Sequence, residues 1–392
     1  MARASSRLLA CLAACWLVVV VSGCGSTSVS PQNHDADLPG EGGADASAVL
    51  PDTGPDAALP PDASAAADTE DDAGPPADAL GVTDSGPVSP DAGGVDLGPI
   101  PPAPATVVVL PDTQYYSSSF PDIFAAQTRW IVAQKSARNI AAALHVGDLV
   151  DVNTDKAQWT VANSSMRALD GLVPYVLVPG NHDTDTTRVG SIDNYFSPTT
   201  MPWIAGTMGA GQIENSYALV DIGPQKWLVL GLEFGPRDAV LIWADGVLKA
   251  NWTRPAIIVT HAYLYADAHR YDYAVYGASQ AYYPQFYNFT PKEGSNDGEQ
   301  IWQKLIVANP NVRLVFCGHY GVARLTSLRA DGSRVHQMLS DYQWADDHGG
   351  SGYLRLLEFD YSKKEIRVQT YSPYLDQFMS DDANQFTLSL EL

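Results

Sequence analysis

Short apolar runs of strand length recur through residues 105–392 and alternate with segments of helical periodicity. The runs are continuous rather than alternating, which is typical of strands that are buried on both faces. We predict strands over Thr106–Leu110, Ile140–Val146, Val173–Val178, Lys226–Leu232, Ala256–Thr260 and Val312–Cys317. We predict helices over Ile123–Arg138, Lys156–Leu169, Asp238–Lys249 and Glu299–Val307. Strands that alternate with helices indicate an α/β fold with parallel strand pairing.

The last part of the chain has a different pattern, in which strand-like runs follow one another without intervening helices. These runs are Val322–Arg329, Val335–Ser340, Leu354–Phe359 and Glu365–Thr370, and the turn pair Asp331-Gly332 separates the first two. We therefore expect antiparallel strands at this end. Residues 105–392 are predicted to form one domain.

The first residues have the pattern of a secretory signal. Arg3 and Arg7 precede an apolar run over 8–21, which is shorter than the about 20 residues of a membrane-spanning helix. The run ends in Val21-Ser22-Gly23-Cys24, which resembles a bacterial lipobox. We therefore predict a lipoprotein signal peptide over 1–23 and anchoring in the lipid bilayer through an acylated Cys24. The expected location is the bacterial cell envelope or surface, at the outer membrane. The alternative is an ordinary signal peptide in which Cys24 is incidental.

Residues 24–104 have the composition of a disordered linker. From residue 25 the segment contains 15 of the 45 acidic residues of the chain, 14 prolines, and no Lys, Arg or aromatic residue. Such a segment cannot bury enough apolar surface to offset its chain entropy. The chain as a whole has a net charge of −22, which argues against nucleic acid as a partner. No feature indicates a protein partner.

Polar side chains follow five of the predicted strands, at the point where each strand ends. They are Asp112, then Asp148 with Asp151, then Asn181-His182-Asp183, then His261 and His319. In an α/β sheet, binding sites form beyond the carboxyl ends of parallel strands. One such aspartate is usually a turn or cap residue, but five in order, with Asn and His among them, suit a dinuclear metal site.

The blocks around these residues resemble those of the calcineurin-like metallophosphoesterases. The blocks are Asp112-Thr113-Gln114, Gly147-Asp148-Leu149-Val150-Asp151, Gly180-Asn181-His182-Asp183, Thr260-His261 and Gly318-His319. The resemblance implies a four-layer α-β-β-α sandwich. It also implies hydrolysis of a phosphate ester by a metal-bound hydroxide at two divalent ions, drawn from Mn, Fe, Zn, Mg or Ca.

The resemblance also implies a role for each matching residue. Asp148 would bridge the two metals, and Asp112 and Gln114 would hold the first one. Asn181, His261 and His319 would complete the site of the second metal. His182 would be the general acid for the leaving oxygen, with Asp183 orienting it.

Two positions depart from the usual pattern of the family, and both affect the first metal. Gln114 stands where the first block usually has His, and Gly321 stands where the last block usually has a second His. An amide oxygen is a harder and weaker donor than imidazole. The first site is therefore expected to prefer Mn²⁺, Mg²⁺ or Ca²⁺, to bind loosely, or to take another ligand from Asp151, Tyr115 or Tyr116.

Two further interpretations stay open at this point. The alternative for the whole chain is that it is a surface-displayed binding module with the same fold and little catalytic turnover. The segment 263–287 contains eight tyrosines, which form either a wall of the pocket or a separate aromatic cluster, the second being favoured.

Overall fold

The computed structural model describes residues 103–287, 289 and 295–392. The predicted signal peptide, Cys24 and the linker up to residue 102 lie outside the described residues. The strands are β1 Ala105–Leu110, β2 Ile140–His145, β3 Tyr175–Leu177, β4 Ile204–Thr207, β5 Ser216–Ile222, β6 Gln225–Gly231, β7 Ala256–Val259, β8 Val312–Cys317, β9 Val322–Leu328, β10 Arg334–Ser340, β11 Leu354–Asp360, β12 Glu365–Ser372, β13 Gln377–Met379 and β14 Gln385–Ser389.

The helices lie mainly between the strands of the first three-quarters of the chain. They are α1 Gln114–Ser118, α2 Pro121–Gln134, α3 Lys156–Arg167, α4 Asp238–Ala250, α5 Tyr273–Tyr276 and α6 Gly298–Ile301, which continues as a π-helical turn over Trp302–Ile306. Within the described residues, no helix is long and apolar enough to cross a membrane.

The strands form two seven-stranded sheets within the described residues. The first has the order β13-β12-β11-β1-β2-β3, with β14 also paired to β12. The second has the order β4-β5-β6-β7-β8-β10-β9. The predicted parallel pairing is confirmed for β1-β2-β3 and for β6-β7-β8. The carboxyl ends of these strands bring the loops that follow them to one edge of each sheet.

Both faces of the central strands are buried, which explains why their sequences are continuously apolar. In β1, Val107 and Val109 pack in the core between the two sheets, whereas Val108 and Leu110 pack toward α2 and α3. In the second sheet, Leu228 and Ile258 pack against α4 and α6. The result is the predicted four-layer α-β-β-α sandwich.

The structure differs from the predicted elements in several ways, and the short helices α1 and α5 are among the elements that were not predicted. Strands β4, β5, β13 and β14 were not predicted, although β5 has the alternating burial of a half-covered strand. The predicted helix over Glu299–Val307 is interrupted by the π-helical turn. Strand β10 is antiparallel to β9 as expected, but it is also parallel to β8, which places its carboxyl end beside that of β8.

Candidate metal centre

The five strand ends named above meet where the two sheets face each other. Asp112, Asp148 and Asn181 follow β1, β2 and β3 of the first sheet, and His261 and His319 follow β7 and β8 of the second. One contact that joins the sheets here is a hydrogen bond of 2.9 Å between His261 Nδ1 and the carbonyl oxygen of Val146. The fold therefore brings together ligand groups from both sheets.

The two histidines are held in tautomers that suit a cation. A carbonyl oxygen only accepts, so His261 donates from Nδ1 to Val146 and His319 donates from Nε2 to Tyr282, at 2.7 Å. The remaining nitrogens, His261 Nε2 and His319 Nδ1, lie 3.1 Å apart. Two lone pairs cannot face each other at this distance without a positive centre between them, either a proton or a metal ion.

The other groups around His261 Nε2 are also acceptors. Asn181 Oδ1 and Asp148 Oδ2 each lie 3.1 Å from this nitrogen. Burial lowers the pKa of His261, but Asp148 outweighs burial and leaves the pKa raised. Burial and the charge of His261 lower the pKa of His319 to about 3. A proton on His261 therefore takes the place that a divalent cation would fill, and this donor set fits a borderline transition metal.

Asp148 is held rigidly at the centre of the site. Its φ of +50° lies in the left-handed region, which is uncommon for a residue other than glycine and typical of functional positions. Its Oδ1 accepts the backbone N–H of His182 at 2.9 Å, and its Oδ2 faces His261. Burial raises its pKa, but the charges of His261 and His182 outweigh burial and hold the pKa below the ordinary value.

Two further buried oxygens, from Asp112 and Gln114, have no hydrogen-bond partner within the described residues. Asp112 Oδ2 accepts the backbone N–H of His319 at 2.8 Å, but Asp112 Oδ1 is unpaired, and so is Gln114 Oε1. A Cβ on Gly318 would lie 2.0 Å from Asp112 Oδ1, so glycine is needed there for the carboxylate to fit. Unpaired buried acceptors are rare, and a cation would satisfy both of these.

His182 lies at the mouth of the site, and its orienting partner differs from the predicted one. Its Nδ1 donates to the carbonyl oxygen of Asp151 at 2.8 Å and lies 3.5 Å from the Asp151 carboxylate. Burial lowers the pKa of His182, but Asp148 and Asp151 outweigh burial and raise the pKa. The free Nε2 can therefore carry a proton toward the cavity.

No hydrogen bond joins the Asp183 carboxylate to the His182 ring within the described residues. Its carboxylate accepts backbone N–H groups from Gly180 at 2.8 Å, Val150 at 3.0 Å and Leu149 at 3.1 Å. Both of its oxygens are thus used to join the loop after β2 to the loop after β3. The residue that contacts the His182 ring is Asp151. Asp183, which was predicted to orient His182, instead braces the two loops.

Sequence reasoning missed two buried residues at this edge, Asp341 and Gln343. Asp341 follows β10, whose parallel pairing with β8 places its carboxyl end beside that of the strand before His319. The rule that polar residues after parallel strands form the site would have found Asp341, had β10 been recognised as parallel to β8. Burial, followed by the charge of Asp341 and then that of Asp148, raises the pKa of Asp112, so Asp341 lies close to the site.

The three side chains proposed from sequence as replacement ligands lie in different places. Tyr116, a residue of α1, is fully buried in the core, and its hydroxyl accepts the N–H of Gly352, so it is not available to a metal. Asp151 contacts His182, as described above. Tyr115 lines the cavity and packs edge-on against Trp344.

A cavity of about 220 Å³ opens over these groups, and aromatic rings surround it. The segment 263–287 contributes both to this wall and to a separate cluster. Tyr282 and Tyr287 line the cavity, whereas Tyr263 and Tyr271 are buried in the core. The described lining contains no Lys or Arg; it consists of Gln114, Tyr115, Asp148, Asn181, His182, Tyr282, Tyr287, His319, Tyr320, Gln343 and Trp344.

The family model for calcineurin-like phosphoesterases matches residues 105–322, which is more than half of the chain. The chain belongs to this family. The match confirms the predicted metallophosphoesterase superfamily, and membership implies divalent metal ions and hydrolysis of phosphate esters as the family's chemistry. The matched range includes every block named in the sequence.

Similar proteins were found among curated sequences and among solved structures. The chain is 34% identical over 309 residues to the uncharacterized protein YvnB of Bacillus subtilis (strain 168), covering 73% of this chain and 22% of the relative. It thus spans about a fifth of the length of that relative. Purple acid phosphatase PPD1 from yellow lupin (Lupinus luteus) seeds has a TM-score of 0.43 and 17% identity, over 74% of this chain and 55% of that one. GAP50, the anchor in the inner membrane complex of Plasmodium, has a TM-score of 0.41 and 11% identity, over 74% and 90%.

Proposed function

We propose that this chain hydrolyses a phosphate ester at a centre of two divalent metal ions. The observation that carries the proposal is the pair of ring nitrogens, His261 Nε2 and His319 Nδ1, which face each other at 3.1 Å beside Asp148. The ligand atoms of these three residues lie within 4.8 Å of one another. Asn181, His261 and His319 would hold one ion, Asp112 and Gln114 the other, and Asp148 both.

The centre would supply a water of lowered pKa as the nucleophile and would neutralise charge on the phosphoryl group. The second contribution matters here because the described lining of the cavity has neither Lys nor Arg. The guanidinium of Arg188 is bound to Glu233 and to the carbonyl oxygens of Phe234 and Gly235.

The remaining chemistry belongs to side chains of this protein. His182 is exposed to the cavity, is oriented by Asp151, and carries its proton more strongly than an ordinary histidine. It would donate this proton to the leaving oxygen, which suits an ester whose alcohol is a poor leaving group. The aromatic rings around the cavity would exclude water from the bound ester.

The proposal also includes where the chain acts. The lipobox-like Val21–Cys24 supports anchoring through an acylated Cys24, and the acidic segment that follows would hold the folded part away from the membrane. The substrate would then be met outside the cytoplasm, at the envelope or surface of a bacterium.

The test is a panel of phosphate monoesters and diesters, assayed with the full chain in the presence of Mn²⁺, Fe²⁺, Zn²⁺, Mg²⁺ or Ca²⁺. The matched variant is Asp148→Asn, which removes the shared charge but keeps the shape of the side chain. We expect at least about a 10³-fold loss of turnover together with loss of metal. Full activity in Asp148→Asn would refute the dinuclear centre. Absence of turnover in wild type, with one metal or none per chain, would favour the binding module instead.

A further inference from the structure

We infer that Asp341 and Gln343 complete the first cation site with oxygen ligands, in place of the two imidazoles that this chain lacks. The ion that this site selects would then be a hard divalent cation such as Mg²⁺, Mn²⁺ or Ca²⁺. This assignment rests on the proposed dinuclear centre, and it names two further ligands of the first metal site.

Gly321, which stands where the family usually has a second histidine, is hydrogen-bonded through its backbone to Asp341. Gly321 donates its N–H to Asp341 Oδ2 at 3.3 Å and accepts the N–H of Asp341 at 3.0 Å. Its φ is +89°, and a Cβ there would lie 2.9 Å from the Cβ of Ala266. A histidine at 321 would thus be both strained and crowded, so this backbone position is built for glycine and pairs with a carboxylate instead.

Gln343 is oriented by the same carboxylate. Its backbone N–H donates to Asp341 Oδ1 at 2.9 Å, and its Nε2 donates to Asp341 Oδ2 at 3.3 Å. Because the amide nitrogen faces Asp341, the amide oxygen points elsewhere. Gln343 Oε1 is buried and has no partner within the described residues, although Gln343 lines the cavity together with Gln114.

Three buried oxygens from three different residues are therefore unpaired at this place: Asp112 Oδ1, Gln114 Oε1 and Gln343 Oε1. All three are acceptors, so they cannot satisfy one another. Asp341 adds a second buried carboxylate to that of Asp112, and buried carboxylates require a positive partner. A divalent cation bound among these groups would satisfy them together.

The chemistry of the donors sets the choice of metal. Carboxylate and amide oxygens suit Mg²⁺, Mn²⁺ and Ca²⁺, whereas imidazole suits Zn²⁺, Fe²⁺ and related ions. The two halves of the centre should thus differ, with a hard ion at the oxygen site and a borderline ion at the site of His261 and His319.

The assignment is tested by equilibrium dialysis of the full chain against Mn²⁺ and Zn²⁺, with bound metal measured by mass spectrometry. Wild type should hold one Mn²⁺ and one Zn²⁺ per chain. Asp341→Asn should weaken the Mn²⁺ equivalent by more than the about 10- to 100-fold expected from loss of a group that only supports a ligand, and Gln343→Leu by about tenfold. The Zn²⁺ equivalent should be unchanged in both variants.

Two further variants make the test selective. Asp347→Asn removes an exposed carboxylate from the same loop and should bind like wild type. Gln114→His adds an imidazole and should shift the first site from Mn²⁺ toward Zn²⁺. If Asp341→Asn fails to fold, the Mn²⁺ affinity of Gln343→Leu tests the assignment instead, because this variant removes an oxygen ligand without changing the charge of the site.

Unchanged Mn²⁺ affinity in a folded Asp341→Asn or in Gln343→Leu would overturn the assignment. So would a wild-type chain that holds a single cation of either kind. A chain that binds both cations as expected but hydrolyses no ester would refute the proposed function and leave this assignment standing.

Discussion

Replacement of Asp183 by Asn separates a bracing role from a catalytic one. The Asp183 carboxylate accepts three backbone N–H groups, two at Oδ2 and one at Oδ1. An asparagine has one acceptor oxygen. If that oxygen keeps the bonds to Gly180 and Leu149, the new amide group places its N–H atoms against the N–H of Val150.

The expected loss of stability follows from this count. One bond to a charged acceptor disappears, and a buried N–H is left without a partner, which together cost about 3 to 5 kcal/mol. Burial and the charge of Asp148 raise the pKa of Asp183 to about 7, which shows that the ionised carboxylate is disfavoured in the folded protein. Replacing it with a neutral amide therefore offsets part of this loss of stability. We therefore expect a net loss of about 3 kcal/mol in the free energy of unfolding at pH 8, where the carboxylate is ionised.

The assay is urea unfolding of the full chain, followed by tryptophan fluorescence. With an m-value near 3 kcal/mol/M, the midpoint should fall by about 1 M. The matched control is Asp155→Asn, since Asp155 also accepts two backbone N–H groups, from Ala157 and Gln158, but at the exposed start of α3. Asparagine is as good a helix cap as aspartate, so this midpoint should hardly change.

Two results together would show that Asp183 does not brace the loops. They are an unchanged midpoint for Asp183→Asn and a loss of activity confined to esters with poor leaving groups. That combination would return Asp183 to the predicted role of orienting His182.

The remaining predictions concern the proton donor, its partner and the anchor. His182→Ala should keep its metals and lose about 10²- to 10⁴-fold in rate on alkyl esters but much less on nitrophenyl phosphates, whose leaving groups need no proton; equal losses on both would assign His182 another role. Asp151→Asn keeps the backbone carbonyl that accepts from His182 Nδ1, so it should also lower the rate on alkyl esters relative to the rate on nitrophenyl phosphates, but by a smaller factor than His182→Ala does. Cys24→Ser should move the protein from the membrane fraction to the soluble fraction of lysed cells, and a variant that still fractionates with membranes would show that acylation is not the anchor.

Local patterns in the sequence predicted the central strands, most of the helices and five candidate ligands of the site, and the family resemblance added Gln114. This was possible because strands buried on both faces must be apolar throughout, and because a ligand that directly follows such a strand is placed by the strand itself. Asp112, Asp148 and His261 needed no knowledge of which strands are neighbours. The metallophosphoesterase blocks were recognisable for the same reason, since each block is a few residues long.

Tertiary structure decided what depends on partners far apart in the chain. Whether β10 pairs in parallel with β8 is not encoded in the six residues of β8 or the seven of β10, yet this pairing places Asp341 at the site edge. The partner of His182 is likewise set by the loop after β2 and not by the neighbouring Asp183. Sequence adjacency suggested Asp183, but a buried carboxylate binds whichever N–H groups the folded backbone brings to it, and here these come from two separate loops.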